Sequence, residues 1–163
     1  MTETDDKVTA GRVFKDPVLL LAFGMGSGLM PRAPGTAGTM AAIPLYLWFS
    51  QYPWPVYLLL VLAVSVSGVW ICQQASARLG VHDHPGIVWD ELAGFLVTMI
   101  PATSSWIWVV AGFLLFRLFD IWKPWPISWA DRTLRGGLGI MLDDLLAGAM
   151  AAGVLAAVIG LVE

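Results

Sequence analysis

The sequence predicts an all-α integral membrane protein, a bundle of about five short transmembrane or partly re-entrant helices with a glycine-rich loop near the N-terminus. Three observations predict it. Of 163 residues, 58% are hydrophobic and 13% charged, against about 25% charged in an ordinary globular chain, and mean hydropathy is +0.74. The charges are clumped, leaving residues 33–77, 92–116 and 145–162 as runs of 45, 25 and 18 residues without Asp, Glu, Lys or Arg; about 20 apolar residues match the hydrocarbon thickness of a bilayer. Prolines and glycines then cut the longer runs into short segments. A secreted disulfide scaffold is excluded by the single cysteine, Cys72. The net charge of −3 says little about partners, and no nucleic acid is expected.

Residues 1–16 read as a polar cytoplasmic tail and residues 17–163 as one membrane-embedded domain. The apolar stretch Pro17 to Phe23 is at the short end for a signal-peptide core and no small-residue cleavage site follows it, so a short interfacial helix is expected. Gly24 to Thr39 holds five glycines and two prolines in sixteen residues, a loop with exposed backbone amides, after which Thr36 or Thr39 caps a helix running to about Ser50. Pro53 and Pro55 mark a turn. Val56 to Cys72 is the clearest span, and Gln73 to Asp90 is polar again. Glu91 opens an apolar segment that stops at Pro101, residues 102–105 form a turn with a serine cap, and Trp106 to Asp120 returns. The last span is Leu145 to Val162.

Residues 88–122 are either one kinked span or a hairpin of two short ones. With the hairpin, Lys7, Arg12, Lys15, Arg32, Arg78, Arg117, Lys123, Arg132 and Arg135 all fall on one side. With a single span the last four cross over and the bias vanishes. The positive-inside rule therefore selects the hairpin, although residues 88–101 cover only about 21 Å as a helix, thin for a span. Trp48, Trp54, Trp70, Trp106, Trp122 and Trp125 near span ends read as an interfacial belt.

The hairpin puts Asp83, Asp90, Glu91, Asp120, Asp131, Asp143 and Asp144 on the cytoplasmic side, with three helix ends bringing carboxylates to one membrane depth. Several ionised carboxylates there cost several kcal/mol unless something positive compensates. A divalent cation does so, and an oxygen-only donor set without a Cys/His cluster suits Mg²⁺ or Mn²⁺ rather than zinc. Arg117 and Lys123, three residues either side of Asp120, bring cations to the same place and suit a phosphate. Consecutive free amides in the glycine-rich loop would form an anion nest beside them, and metal-assisted phosphate chemistry combines all three features. Acids at helix starts that merely favour the helix dipole are the plainer alternative, and Asp131 reads as a surface carboxylate beside Arg132 and Arg135. Cys72 and Arg78 satisfy a C-x5-R phosphatase spacing by coincidence, since no glycines lie between them and the segment reads as helix. His82 and His84 read as ordinary loop histidines, and no serine sits near a histidine that would activate it.

Several stretches resemble the bacterial phosphatidylglycerophosphatase A enzymes. They are Gly26 to Leu29 with Pro34 to Thr39, Val81-His82-Asp83 with Ile87 to Glu91 and Gly94, Phe116 to Ile127, and Gly137 to Asp144 through Ala147-Gly148. The resemblance runs from about residue 17 to residue 160 and departs at no charged motif position. It implies an integral inner-membrane, multi-pass, Mg²⁺-dependent lipid phosphatase that hydrolyses phosphatidylglycerophosphate to phosphatidylglycerol, in phospholipid biosynthesis, with its active site on the cytoplasmic face. On that reading Asp90, Glu91, Asp120 and Asp144, with Asp83 nearby, are the expected metal ligands. Asp90, Asp143, Asp144 and Lys123 are expected to be catalytic, Asp143 as a ligand or as the base for water. Gly26, Ser27, Gly28, Thr36, Gly38, Thr39, Arg117 and Lys123 are expected to bind the phospholipid phosphate. Two alternatives remain: a CDP-alcohol phosphotransferase, whose paired aspartates lie on adjacent turns of one helix whereas here the acids come from three segments, and a divalent-cation transporter, which needs a continuous polar path and is disfavoured because no uncharged run supplies an acid at mid-membrane.

Overall fold

The computed structural model describes residues 8–162, which are helical throughout their regular parts and contain no strand. Lys7 and the acids at 3, 5 and 6 lie outside the described residues. From Ala10 the stretch expected as a tail is a helix, α1 (Ala10–Lys15), followed by α2 (Pro17–Ala22). Asp16 joins them: its carboxylate accepts the Val18 backbone N–H at 2.9 Å, capping α2, and pairs with Arg78. Val13 is fully buried in one cluster with Leu19 and Phe23, so this end is packed down as well as paired.

Gly24–Leu29 forms a short 3₁₀ segment in which Met25 and Gly26 take left-handed backbone angles (φ 57° and 104°). It lies hard against the loop after α4, where a Cβ on Gly28 would fall 2.0 Å from the Gly86 carbonyl oxygen. The second half of the expected loop is helical instead. α3 (Pro34–Phe49) begins at a proline and follows Ala33 in the left-handed region, with no side-chain cap. Proline at the first helical position carries a fixed φ and lacks only an N–H that would have had no partner. Thr36 and Thr39 therefore lie inside the helix rather than capping it, and the Thr39 hydroxyl donates to the Gly35 carbonyl at 2.9 Å.

α4 (Trp54–Leu79) extends beyond the expected Val56 to Cys72 at both ends and stops at Gly80 in the left-handed conformation. α5 (Trp89–Thr98) has ten residues, about 15 Å of helix and half of a bilayer core. α6 (Trp106–Trp122), the short α7 (Ile127–Thr133) and α8 (Gly136–Val162) complete the chain. Among the described residues two helices, α4 and α8, are long and apolar enough to cross a membrane, with mean hydropathy of 2.2 and 2.4 over their most apolar stretches. α8 starts nine residues before the expected Leu145, because Asp143 and Asp144 are carried within the helix rather than at its start.

α5 is the centre of the packing and touches α3, α4, α6 and α8. Leu92, Ala93, Gly94, Phe95, Leu96 and Thr98 are all buried. Its approach to α8 depends on two glycines. A Cβ on Gly148 would lie 2.3 Å from the Gly94 carbonyl oxygen, and one on Gly94 would lie 2.7 Å from the Asp144 carbonyl oxygen. The backbones thus meet at the depth of Asp144, and the Thr98 hydroxyl donates to the Gly94 carbonyl in the same seam.

Candidate active site

The packing of α5 against α3, α6 and α8 encloses a pocket of about 370 Å³ lined by Ala33, Pro34, Gly35, Asp83, Pro85, Ile87, Asp90, Glu91, Arg117, Asp120, Ile121, Lys123, Asp143 and Asp144. Asp90 and Glu91 occupy the first turn of α5, where the helix dipole favours negative charge. Asp120 and Arg117 come from the end of α6, Lys123 from the residue that caps it, and Asp143 and Asp144 from the third turn of α8. Lys123 holds a left-handed backbone angle (φ 46°) that turns the chain over the pocket.

Within this pocket Asp90, Glu91 and Asp144 each offer an oxygen within 4.8 Å of the others. Asp90 and Asp144 are buried, and Asp90 Oδ1, Glu91 Oε2, Asp143 Oδ1 and Asp144 Oδ2 have no hydrogen-bond partner. Two like charges at that separation repel by roughly 3 kcal/mol at an effective dielectric constant of about 20, and desolvation adds to the cost. Six carboxylates line the pocket against two cations. The donor chemistry, all carboxylate oxygen, and the orphaned buried atoms fit a hard divalent cation.

The two cations are placed differently. Arg117 Nη1 contacts the Asp120 carboxylate at 2.5 Å, and its Nε is buried without a hydrogen-bond acceptor. Lys123 Nζ donates to Asp131 Oδ1 at 2.6 Å and to Asp143 Oδ2 at 2.8 Å. Burial opposes its charge, but these two hydrogen bonds outweigh it and raise the Lys123 pKa above the ordinary lysine value.

Of the expected ligands, the structure brings Asp90, Glu91 and Asp144 together; Asp120 lines the same pocket but faces Arg117, and Asp83 is exposed at its edge. Of the expected phosphate-binding positions, Arg117 and Lys123 line the pocket, while Gly26, Ser27, Gly28, Thr36, Gly38 and Thr39 do not. A Cβ on Gly38 would meet Val88 at 2.5 Å, and Gly28 lines a neighbouring pocket with His84 and Gly86. Of that stretch, Ala33, Pro34 and Gly35 at the N-terminus of α3 wall the pocket instead, where the first N–H groups of a helix lack intrahelical partners. Gly35 is close enough to Glu91 that a Cβ there would lie 2.3 Å from Oε1. Asp131 was missed as a neighbour of the site, since its partner lies eight residues back across α7 rather than among the adjacent arginines.

The histidines serve the loop. His82 Nε2 accepts the Gly136 N–H at 2.7 Å at the start of α8, and His84 Nδ1 accepts the Gly86 N–H at 3.0 Å. Burial lowers the His84 pKa against the pull of Asp83, which keeps the ring neutral and able to accept. Cys72 is fully buried with Sγ 3.8 Å from Met141 Sδ. Cys72→Ala is therefore expected to keep catalytic turnover within about twofold, because only packing is lost; alanine avoids burying an unpaired hydroxyl. Loss of turnover in a folded Cys72→Ala protein would contradict this assignment.

The family model described as Phosphatidylglycerophosphatase A matches residues 20–159. A protein of Escherichia coli (strain K12) named "Phosphatidylglycerophosphatase A" is 50% identical over 141 residues, covering 86% of this chain and 82% of that one. A Haemophilus influenzae protein of the same name is 44% identical over 134 residues, covering 81% and 82%. A Bacteroides thetaiotaomicron protein named "Putative phosphatidylinositol-3-phosphatase" is 38% identical over 139 residues, covering 80% and 86%. No solved structure matches the chain.

Proposed function

The chain belongs to the phosphatidylglycerophosphatase A family, and from that premise we propose that this phosphatase hydrolyses phosphatidylglycerophosphate to phosphatidylglycerol and inorganic phosphate, using Mg²⁺ held in the acidic pocket. The observation that carries the reading is the convergence of Asp90, Glu91 and Asp144 from two helices, with oxygens left unpartnered beside two cations. Its biological setting would be phospholipid biosynthesis.

In the mechanism, Asp90, Glu91 and Asp144 would hold the ion. Mg²⁺ there would supply charge neutralisation to the phosphoryl oxygens. Arg117 offers its Nε, and Lys123 its ammonium, to the same phosphate, while the N-terminus of α3 adds its dipole. Asp143 has one oxygen fixed by Lys123 and the other buried and free, so its Oδ1 is the base that takes a proton from the attacking water. Water displaces the glycerol oxygen directly, the new P–O bond forming as the ester P–O bond breaks and the departing oxygen taking a proton from solvent, which needs no nucleophilic side chain; the buried Cys72 is in no position to supply one.

The membrane setting is supported by what the helices leave uncovered. Only 33% and 22% of the most apolar stretches of α4 and α8 are buried, which is unlike the core helix of a water-soluble protein. Leu59, Leu62, Val66 and Trp70 form an exposed apolar stripe on α4, as do Ile107, Val110, Leu114, Leu118 and Ile121 on α6. We place the chain in the bacterial inner membrane with the pocket at the cytoplasmic face, α5 reaching only part of the way through. A cysteine at the exposed Ser104 is expected to react with a membrane-impermeant maleimide from outside intact cells, and one at the exposed Thr133 only after lysis. Equal labelling from outside would break this topology. Ala130 is unsuited to the comparison because it is fully buried.

The function is tested by giving the purified protein phosphatidylglycerophosphate and, separately, phosphatidylinositol-3-phosphate, and following phosphate release with Mg²⁺ present. Faster release from the first, with phosphatidylglycerol as the lipid product, is the expected result. Preference for the inositol lipid would move the substrate toward the one in the name of the Bacteroides relative.

A further inference from the structure

The wall of the acidic pocket formed by α3 and α6 continues as an apolar groove. Gly35 and Arg117 meet at its mouth, where a Cβ on Gly35 would lie 3.3 Å from Arg117 Nη1. From there α3 runs forward and α6 runs backward, away from the pocket. Between them Met40 and Ile43 face Trp106, Val109, Val110 and Phe113 around a groove of about 210 Å³. None of these side chains carries a charge. At 1.5 Å per residue, Phe113 lies about 6 Å and Trp106 about 16 Å beyond Arg117 along α6, so the groove starts where the acidic pocket ends. Met40 and Val110 are more than half exposed, which leaves the groove open along its side.

We infer that this groove holds one acyl chain of the lipid phosphomonoester while Arg117 holds the head group at its mouth, an inference that rests on the function proposed above. The lining suits hydrocarbon rather than a polypeptide, because it offers an extended backbone no array of polar partners. Its open side faces the same outward surface as Ile107, Leu114 and Leu118, which are exposed and apolar. One end adjoins Arg117 at the edge of the acidic pocket, and an ester lipid has the matching combination of charged head and apolar chain.

Ile43→Trp and Val110→Trp fill the groove without touching the acidic pocket. Each is assayed in the same detergent on dioleoyl phosphatidylglycerophosphate and on the deacylated, water-soluble head group. In both variants kcat/KM for the dioleoyl lipid is expected to fall by about tenfold or more, mainly through KM, while that for the deacylated head group stays within about twofold of wild type. Leu59→Trp, on the outward face of α4, is expected to leave both substrates unchanged and so separates the groove from lipid-facing surface in general. Equal losses on the two substrates, or unaltered turnover of the dioleoyl lipid, would overturn the groove and leave the phosphatase standing. A wild-type protein that turns over neither substrate would overturn the phosphatase and the groove with it.

Discussion

Asp144→Asn and Asp90→Asn are each expected to lower phosphate release from phosphatidylglycerophosphate by roughly 10² to 10⁴, the rate equivalent of losing about 3 to 5 kcal/mol of transition-state stabilisation. The change keeps shape and removes one charge. Because the three clustered carboxylates repel one another without a cation, each substitution also relieves strain in the metal-free protein. Thermal unfolding without metal should therefore occur no lower than in wild type, while activity is lost and the Mg²⁺ concentration for half-maximal rate rises. A residue holding only the fold would lower stability and activity together. Initial rates across a Mg²⁺ titration, beside melting curves in chelator, separate the two, and an Asp90→Asn enzyme active at ordinary Mg²⁺ would remove Asp90 from the site.

Lys123→Met carries the second large effect. Lys123 is the hydrogen-bond partner of Asp143 Oδ2 and also reaches Asp131, so its loss leaves the Asp143 carboxylate uncompensated and takes a cation from the phosphate. A fall in kcat of roughly 10² to 10³ is expected, in the range seen when one electrostatic donor to a transition state is removed. Asp131→Asn should cost less than about tenfold: Asp131 is the more exposed partner, with 38% of its side chain accessible against 10% for Asp143, and solvent screens what it contributes. Steady-state rates of the two variants check the order. An Asp131→Asn enzyme as slow as Lys123→Met would make Asp131, rather than Asp143, the group that Lys123 serves.

The helical class and the acidic site were legible because both are written in charge. Asp90, Glu91, Asp120, Asp143 and Asp144 stand at the edges of uncharged runs, and the structure gathers all five around one pocket. Boundaries were less legible for the same reason. A reading that ends spans at charges stops α8 at Leu145, whereas the helix continues to Gly136 because Asp143 and Asp144 project into a shared polar pocket and do not interrupt backbone hydrogen bonding. α3 is a second case. Its glycines and threonines read as loop, yet Pro34 sets the first helical angle and the tight approach to Glu91 and Val88 leaves no room for larger side chains at Gly35 and Gly38. The Lys123–Asp131 pair was hidden by the adjacent Arg132 and Arg135, since sequence proximity says nothing about the return of the chain through α7.

A divalent cation in the pocket of Asp90, Glu91 and Asp144 is central to the proposed reaction. The direct measurement is phosphate release from phosphatidylglycerophosphate by the purified protein, first stripped with EDTA and then supplied with excess Mg²⁺. Release that stops in EDTA and returns with Mg²⁺ in the wild type, but returns only at raised Mg²⁺ in Asp144→Asn, is the predicted result. Release that continues undiminished in EDTA would contradict it.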